Sequence, residues 1–466
     1  MGLISWFKGV IGKMFKRKDA TKAFDTDIIL SNDMERAITL WYNIIGGSPS
    51  WVSKDDDVDT INFGKFVARD TAKKICLDIG IKVDGGSARA EQLQTVIDAL
   101  KKVIRDKVED ACCYGGIMFK PNGADGVACI DYVQPKDFLV TDKNSNGDIL
   151  GCIFFDYYQN GDDFYTRMEY HRFEGDVYAI SNKAYKSKNK DDIGKQVPLD
   201  SVPMWVGIEE DVYIQNLDRP LYAYFKMPYN NSIDNDSPLG VSVFSEAVKE
   251  LRDLDIAWSR KSGEIEDSKH MTFVGPSAMQ YAENNKIKLP RFLRPVDLSD
   301  DVTKETVHEH VATLLTDQRI TDINSILSMI STKCGFSQGA FVLDRKTGRI
   351  TATQVESDDK ETIETIKEMR DALKDALDDL VYALSKYADL YNLSPVGYYE
   401  VAYSFGDLTY NYEEDRNRWL QYANQGRVPF WMYLVKFEGM SEEEAKEVCQ
   451  LAKEDNKAEG LFDGGQ

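Results

Sequence analysis

The sequence predicts an α+β fold, because two kinds of hydrophobic periodicity occupy different parts of its 466 residues. Between residues 115 and 212, apolar positions alternate in short runs separated by Gly, Asn and Asp turns, which is typical of antiparallel strands. Elsewhere apolar residues recur every three or four positions, as in amphipathic helices. Helices packed on one antiparallel, meander-like sheet give an α+β domain.

The first half of the chain divides into helices and then strands. Three helices are predicted before the sheet, at residues 31–51, 61–79 and 90–114. The runs that predict the sheet are IMFKP, GVACIDYV, GDILGCIFFDYY, FYTRMEYHRF and DVYAISNKAY. The lysine-rich stretch YKSKNKDDIGKQ is interpreted as a solvated loop.

Two amphipathic helices bracket a short insertion in the second half. The first follows Pro238, which favours a helix start, and runs to about residue 269. The second ends at Gly335, a residue suited to the left-handed position that closes a helix. The insertion between them contains three prolines in MTFVGPSAMQYAENNKIKLPRFLRPVDL, so it predicts strands and turns instead of continued helix.

A basic loop follows, with Arg345, Lys346 and Arg349 in an otherwise acidic region. From residue 353 to 391 no Pro or Gly interrupts a single apolar stripe, which predicts a helix of roughly 55 to 60 Å. A row of aspartates lies on this helix, and we expect so long a helix to bend around its core: Asp371, Asp375, Asp378 and Asp379. The run GYYEVAYSF predicts one more strand. Two short helices around Trp419 and Glu443 then close the chain, the last with a capping box formed by Ser441 and Glu444.

The charge balance bounds what the protein can bind. Its 57 Lys and Arg face 78 Asp and Glu, a formal charge of −21, which opposes tight phosphate binding over a broad face. Seven cysteines without regular spacing favour a reducing compartment, and Cys112 and Cys113 are expected to be buried small residues. No apolar run reaches the length of a transmembrane helix.

Motifs for catalysis, cofactors and metals are weak. Asp142, Asn144, Asn146 and Gly147 resemble half of a calcium loop, but Ile153 stands at the twelfth position, so a hairpin turn is favoured. The pair His308 and His310 has no convincing set of further ligands, and the KTG triplet of the basic loop has no catalytic partners. No phosphate loop or dinucleotide fingerprint occurs. The sequence therefore predicts no enzyme, no cofactor and no metal site.

Three segments carry a resemblance to a known family. They are MERAITLWYNIIGGSPSW, FKMPYNNSIDNDSPLGVSVFSEAVKELRDLD and CGFSQGAFVLDRKTGRITATQVESDD, and the ending QYANQGRVPFWMYLVKFEGMSEEEAKEV adds to them. In this order they resemble portal proteins of tailed bacteriophages, especially of phages of low-GC Gram-positive hosts. The resemblance covers nearly the whole chain and implies a portal-like fold with wing, stem, clip and tunnel loop.

The resemblance divides the chain into the following parts: a basic amphipathic arm at 1–18, a wing of helices and antiparallel sheet at 19–236, a first stem helix at 237–272, a small α/β clip at 273–311, a second stem helix at 312–336, a tunnel loop at 337–352, a long wing helix at 353–391 and a wing strand with a short helical crown at 392–466. It implies DNA contact by Arg345, Lys346 and Arg349, with Gly348 as the hinge of the loop. The clip residues expected to dock partners are Tyr281, Lys286, Lys288, Arg291 and Arg294.

The resemblance also implies partners and a location. The chain is expected to form a ring, usually of twelve copies, at one vertex of the capsid. Duplex DNA passes through such a ring, and the terminase large subunit, a head-tail connector protein, the major capsid protein and scaffolding protein contact it. The location is the virion, with the host cytoplasm during assembly and no stable membrane association.

Two alternatives stay open from the residues alone. The arm carries Leu3, Phe7, Val10 and Met14 on one helical face with lysines around it. It either docks on a neighbouring subunit or touches a membrane surface or nucleic acid, and in the second case the protein is a membrane-surface scaffold. A hydrolase that uses the RKTG loop is the other alternative class.

Overall fold

The structure, a computed structural model, describes residues 16–53, 57–124, 127–267, 271–274, 284–285, 293–295, 307–310, 315–343, 360–408 and 412–462. Its helices are α1 (16–24), α2 (Asn32–Ile45), α3 (Phe63–Ile75), α4 (Ala88–Lys101), α5 (Ile104–Tyr114), α6 (Val248–Asp267), α7 (Thr316–Lys333), α8 (Lys360–Leu390), α9 (Tyr412–Asn424), α10 (Phe430–Glu438) and α11 (Glu442–Phe462). Its strands are β1 (Gly80–Asp84), β2 (Gly116–Ala124), β3 (Val127–Val133), β4 (Phe138–Lys143), β5 (Ile149–Asn160), β6 (Asp163–Glu174), β7 (Val177–Ser187), β8 (Lys195–Val197), β9 (Asp211–Gln215), β10 (Ala223–Lys226), β11 (Met271–Val274), β12 (Leu293–Pro295), β13 (Val307–His310) and β14 (Glu400–Ser404). The α+β class is confirmed.

The predicted single meander is divided into two sheets. One is antiparallel with the order β4-β5-β6-β7-β8, and β9 also pairs with β7; the other has the order β10-β2-β3. After β3 the chain turns, with Asp137 N–H donating to Gln134 O at 2.8 Å, and β4 pairs with β5 instead of β3. Strands β4, β8, β9 and β10 were not predicted, and β8 begins within the lysine-rich stretch that was expected to be a loop. β10 is only four residues long and pairs with β2, far earlier in the chain, so its local pattern is weak.

The helix predicted at 90–114 is two helices, and this expectation was wrong. The break lies at Lys102 and Val103, where Val103 has φ −121° and ψ −4°. No Gly or Pro marks this position. Since α4 packs on β1 whereas α5 packs on α3 and β2, tertiary packing sets the break.

The long helix α8 is fixed to the body by two buried arginines. Arg89, 1% exposed, donates to Ser385 O at 2.6 Å and to Asp389 Oδ1 at 2.7 Å, which joins α4 to the end of α8. Arg370 donates to the carbonyls of Lys74 and Ile75 at 2.9 and 3.1 Å and so caps the end of α3. The described helix has 31 residues, about 46 Å. Residues 353–359 of the predicted helix lie outside the described part, and its bend stays a prediction.

The described part of the N-terminal arm contacts its own sheet. Ala20 on α1 is fully buried and packs with Ile153 and Met168 of the six-stranded sheet. The Lys16 ammonium lies 4.3 Å from the centre of the Tyr157 ring, a cation–π contact. Residues 16–18 therefore belong to the body. The rest of the arm, residues 1–15, lies outside the described residues.

The C-terminal residues form a second compact unit with its own core. Two helices were predicted, and the described residues contain three, because α10 was missed. Pro429 precedes α10, and Gly439 with φ +70° follows it, so both of its boundary signals are present in the sequence. The capping box of α11 is confirmed: Glu444 N–H donates to Ser441 Oγ at 3.3 Å, and Ser441 N–H donates to Glu444 Oε2 at 3.0 Å.

Candidate functional site: the helix pair and its insertion

The helices α6 and α7 lie antiparallel and are tied at both ends. At one end Lys333 Nζ lies 2.7 Å from Glu250 Oε1. At the other end the two oxygens of Glu264 accept hydrogen bonds from Leu315 N–H and Arg319 Nε, both at 2.9 Å. The helix pair therefore has a base, where α6 begins and α7 ends, and a tip, from which the insertion emerges.

The tip carries a charge-assisted cap. The backbone N–H of Leu315 and the Arg319 guanidinium lower the pKa of the Glu264 carboxyl below its ordinary value. An anion beside the first turn of α7 also has a favourable interaction with the helix dipole. The group is solvent-accessible, so salt screens these interactions.

The segment that leads into the base of the helix pair contacts the end of α5 through uncharged groups, mostly of the backbone. Gly115, at φ +87°, lies so close to Gly240 that a Cβ on either residue would overlap the other's carbonyl oxygen. Ser242 Oγ and Val243 N–H both donate to Cys112 O, at 3.1 and 3.0 Å. The segment before α6, which carries one of the family-like motifs, is thereby fixed to the end of α5.

A buried carboxylate holds a second segment against α6. Asp255, 3% exposed, accepts from Trp51 Nε1 at 2.9 Å and from Ile61 N–H at 3.0 Å. Ser259 Oγ, one turn further along, accepts from Asp59 N–H at 3.0 Å. These contacts fasten the segment between α2 and α3 along the first half of α6.

The insertion contains a three-stranded sheet. Strand β11 pairs in parallel with β12 and antiparallel with β13. Arg294 lies on β12 opposite Phe273 of β11, and the backbone alone of these strands is described. The other predicted docking residues, Tyr281, Lys286, Lys288 and Arg291, lie outside the described part of the chain. His308 and His310 occupy β13 opposite Phe273 and Met271.

The C-terminal end of α7 is capped at Gly335, as predicted. Gly335 has φ +73°, its N–H donates to Thr332 O at 3.0 Å, and Phe336 N–H donates to Ser331 O at 2.9 Å. This is the Schellman arrangement. Two further hydroxyls hold it: Tyr229 Oη donates to Cys334 O at 2.9 Å and Thr365 Oγ1 donates to Gly335 O at 2.6 Å.

The chain then turns back along α7 and is fixed again before the basic loop. Ser337 N–H donates to Thr362 Oγ1 at 3.0 Å, and Leu343 N–H donates to Asn324 Oδ1 at 3.0 Å. Phe341 lies edge-on to Phe63 and Phe336, with ring centres 5.8 and 5.4 Å apart. Leu343, the last described residue before the basic loop, is therefore held against the middle of α7.

The predicted loop residues Arg345, Lys346, Gly348 and Arg349 lie outside the described residues. The residues that hold the segments on either side of this loop, such as Asn324 and Thr362, were not predicted from the sequence. An Asn inside an apolar helical stripe is a signal, but its partner could not be identified before the fold was known.

A charged cluster connects the two sheets of the body, and it was not predicted from the sequence either. Glu169 accepts from Lys120 Nζ and lies against His171 Nε2, both at 2.7 Å, and Arg167 lies 3.2 Å away. Burial alone would raise the pKa of Glu169, but Lys120, His171 and Arg167 together hold that pKa well below its usual range. Burial lowers the pKa of His171 despite its contact with Glu169. The alternation in TRMEYHRF puts Arg167, Glu169 and His171 on one face of β6, which is the signal that was available.

This cluster joins the two sheets instead of opening a reactive site. Lys120 lies on β2, whereas Glu169 and His171 lie on β6. His171 Nδ1 is 2.8 Å from Tyr178 Oη, which accepts from Leu221 N–H at 3.1 Å. Because burial lowers the pKa of His171, its imidazole is neutral at pH 7. One ring nitrogen then carries a hydrogen and the other accepts, which suits one contact with Glu169 and one with the Tyr178 hydroxyl.

The predicted hairpin at the calcium-like motif is present. Asn144 N–H donates to Asp148 O at 3.0 Å, and Gly147 takes φ +87° between β4 and β5. Among the described residues no group of three or more His, Cys, Asp or Glu is placed to hold a metal ion. Searched over the same residues, no helix combines the length and apolar character needed to cross a bilayer.

Comparison with known proteins gives one family. Residues 54–460 match the family described as "Phage portal protein, SPP1 Gp6-like". No curated protein sequence matches the chain. Among solved structures, a chain of "Neck of native GTA particle computed with C12 symmetry" is similar with a TM-score of 0.40 and 9% identity, over 93% of this chain and 97% of that one.

Proposed function

Since the chain belongs to the SPP1 Gp6-like phage portal family, we propose that it forms a ring, of twelve copies, at one capsid vertex of a phage with a low-GC Gram-positive host. Duplex DNA is packaged and ejected through that ring. The family is structural, and the proposal assigns the protein no catalytic step. The observation that carries the proposal is the family match over most of the chain.

The helix pair supports the assignment of α6 and α7 as stem and of the inserted sheet as clip. Two antiparallel helices are tied at both ends, and the segment that connects them contains a small sheet. The insertion is the part that we assign to docking of the terminase large subunit and then of a head-tail connector protein. Tyr281, Lys286, Lys288, Arg291 and Arg294 are the proposed contact residues.

The anchors at the start of the predicted tunnel loop, 337–352, support its assignment to DNA contact. Leu343, which precedes Arg345 by two positions in the sequence, is bound to Asn324 on α7. In a chain of charge −21, Arg345, Lys346 and Arg349 attract phosphate where most of the surface repels it. Contact of this kind is weak, salt-sensitive and blind to sequence, which suits a conduit.

Electron microscopy of the purified full chain tests the assembly. Rings with a central hole are the expected images. A monomer at every concentration contradicts the proposal at its first step.

Triple substitution of the loop tests the DNA contact. Arg345→Ala, Lys346→Ala and Arg349→Ala together should leave folding and ring size unchanged and reduce the packaged or retained DNA. The matched control replaces three exposed lysines of the β7–β8 hairpin, Lys188, Lys190 and Lys195, by Ala, and should package normally. Equal packaging by both triple variants removes DNA contact from the loop's role.

Replacement of the insertion tests the docking assignment. A Gly/Ser linker in place of residues 273–311 should keep the ring and abolish binding of the terminase large subunit. Retained binding places that docking site elsewhere. The location that follows from these proposals is the portal vertex of the virion, with assembly in the host cytoplasm alongside the major capsid and scaffolding proteins.

A further inference from the structure

Strand β14 lies at the edge of its sheet. Within the described residues, Glu400–Ser404 pairs with β1 and with no other strand. An antiparallel strand directs its N–H and C=O groups alternately to its two sides. One side of β14 is filled by β1, and the other side has no strand beside it in the part of the chain that is described.

A hydrogen bond on β1 identifies which groups of β14 face outward. Val83 N–H donates to Gln94 Oε1 at 2.6 Å and so points away from β14. Val83 lies opposite Val401, and Ile81 lies opposite Tyr403. These are therefore the non-hydrogen-bonded pairs. The backbone groups of Val401 and Tyr403 point away from β1, and β14 is the open edge of the sheet.

The open edge is lined with negative charge. Asp371, Asp375 and Asp378 are exposed at i, i+4 and i+7 on one face of α8. Tyr403 Oη donates to Asp378 Oδ1 at 2.6 Å, which places this acidic row beside β14. Glu400 on the strand itself is exposed as well, and Lys374 offsets one charge by its contact with Asp371.

Large apolar side chains precede the strand. Val396 is 84% exposed and Tyr398 is 70% exposed. An aromatic and an aliphatic side chain are therefore exposed just before the strand begins.

We propose that β14 is a docking edge for an extended, basic segment of another protein, which adds a strand beside Val401 and Tyr403. Outward backbone groups require an extended partner, since alternate N–H and C=O groups pair along a strand. Lys or Arg side chains of that segment lie beside the acidic row and set its specificity. Pairing of this edge with the same edge of a second copy fits less well, because it would bring two acidic rows and two Glu400 side chains together. The docking edge includes neither the basic loop nor the insertion, so its proposed role does not depend on the proposed role as a DNA conduit.

The probe is a blocked, fluorescent seven-residue peptide of alternating Lys and Val, titrated against the full chain at low salt and followed by anisotropy. We expect it to bind, to weaken as salt rises, and to exceed a matched Glu/Val peptide. The same Lys/Val peptide with every backbone amide N-methylated has no N–H to donate to β14 from either of its edges and should not bind.

Two variants separate the backbone from the charge. Val401→Pro removes an outward N–H, and a Pro is tolerated where an edge N–H faces solvent, so the β1 pairing is kept. Asp371→Asn, Asp375→Asn and Asp378→Asn together keep an acceptor for Tyr403 and remove the acidic row. Each variant should weaken the Lys/Val peptide about tenfold, the effect of one lost hydrogen bond or close charge.

Several results would overturn the proposal. Equal binding of the N-methylated peptide excludes strand addition in a way that does not depend on any variant's folding. Equal binding of the Glu/Val peptide excludes a basic partner. A changed ring size in Val401→Pro, together with no Lys/Val peptide binding by the unaltered chain, shows that a second copy occupies this edge.

Discussion

The sheets of the body and the helix pair use charge in opposite ways. In the body, Glu169, Lys120 and His171 are buried together and join two sheets. In the helix pair, the ion pairs of Glu250 with Lys333 and of Glu264 with Arg319 lie partly exposed at the base and the tip. Buried ion pairs fix one geometry, because breaking them leaves a charge buried without a partner. Exposed ion pairs contribute little to stability and are screened by salt. The charged cluster therefore holds the body rigidly, whereas the ion pairs of the helix pair contribute little to fixing its two ends.

The largest effect should come from the buried cluster. Glu169→Gln leaves Lys120 without its carboxylate and Arg167 with only Asp156, at 3.5 Å, and we expect a loss of about 3 to 5 kcal/mol in the free energy of unfolding. Urea unfolding followed by circular dichroism measures it. Glu174→Gln on the same strand, where Glu174 pairs with Arg172 near the surface, is the control and should change stability by less than about 0.5 kcal/mol. Similar losses in both variants would contradict the contrast between buried and exposed charge.

The junction between the two regions should be the next most sensitive place. Gly115→Ala puts a methyl group into the Gly240 carbonyl and strains a left-handed residue, so we expect a loss of about 3 kcal/mol. Gly147→Ala is the matched control, since Gly147 has the same φ of +87° with nothing within 4 Å, and it should cost about 1 kcal/mol. Thermal unfolding compares the two. Equal losses of stability in the two variants would mean that the backbone near Gly240 can move aside to accommodate the added methyl group.

The pH dependence of stability should originate in the body. Burial lowers the folded-state pKa of His171, so the unfolded chain takes up that proton first as pH falls below about 6.5, and stability declines from there toward the folded pKa. Glu169 has a lowered folded-state pKa, so its contribution is present above about pH 4.5 and is lost below that, as pH falls through the folded value. His171→Gln should reduce the change in the urea unfolding midpoint between pH 7 and pH 5. An unchanged slope in this variant assigns the dependence to other groups.

The smallest effect should come from the tip. Glu264→Gln keeps an acceptor for Leu315 N–H and removes only the charge beside Arg319. Global unfolding should not change measurably, whereas amide exchange at the start of α7 should become faster. A clear drop in global stability would show that the tip is fixed as firmly as the body.

The sequence predicted the elements whose signals are local. The left-handed Gly335 closes α7 two residues after its last helical residue, Lys333, as the pattern indicated. The turn at Gly147 and the capping box at Ser441 likewise follow from turn and cap residues. Strand β1 was missed because its five residues pair with β14, hundreds of positions away. The break at Val103 was missed because packing on two different neighbours causes it, with no breaker in the chain.

The candidate site was predictable in outline and not in its contacts. The order of helix, insertion, helix and basic loop can be seen in the sequence, and it carries the family resemblance. That Asp255 binds Trp51, or that Asn324 holds Leu343, depends on side chains brought together by the fold. Lone polar residues on amphipathic helices are the available signal, and such residues are as often solvent-exposed.

The pairing of β1 with β14 also constrains when the protein can fold. Ser87, just after β1, bonds to Tyr398, just before β14, and the two residues are 311 positions apart. At ordinary synthesis speeds the ribosome needs roughly 15 to 60 s to make that stretch, so the early helices wait for their last partner. Closing so long a loop is also entropically slow. A nascent or truncated chain that lacks β14 leaves the body unfinished, so only chains synthesised past this strand can complete the body.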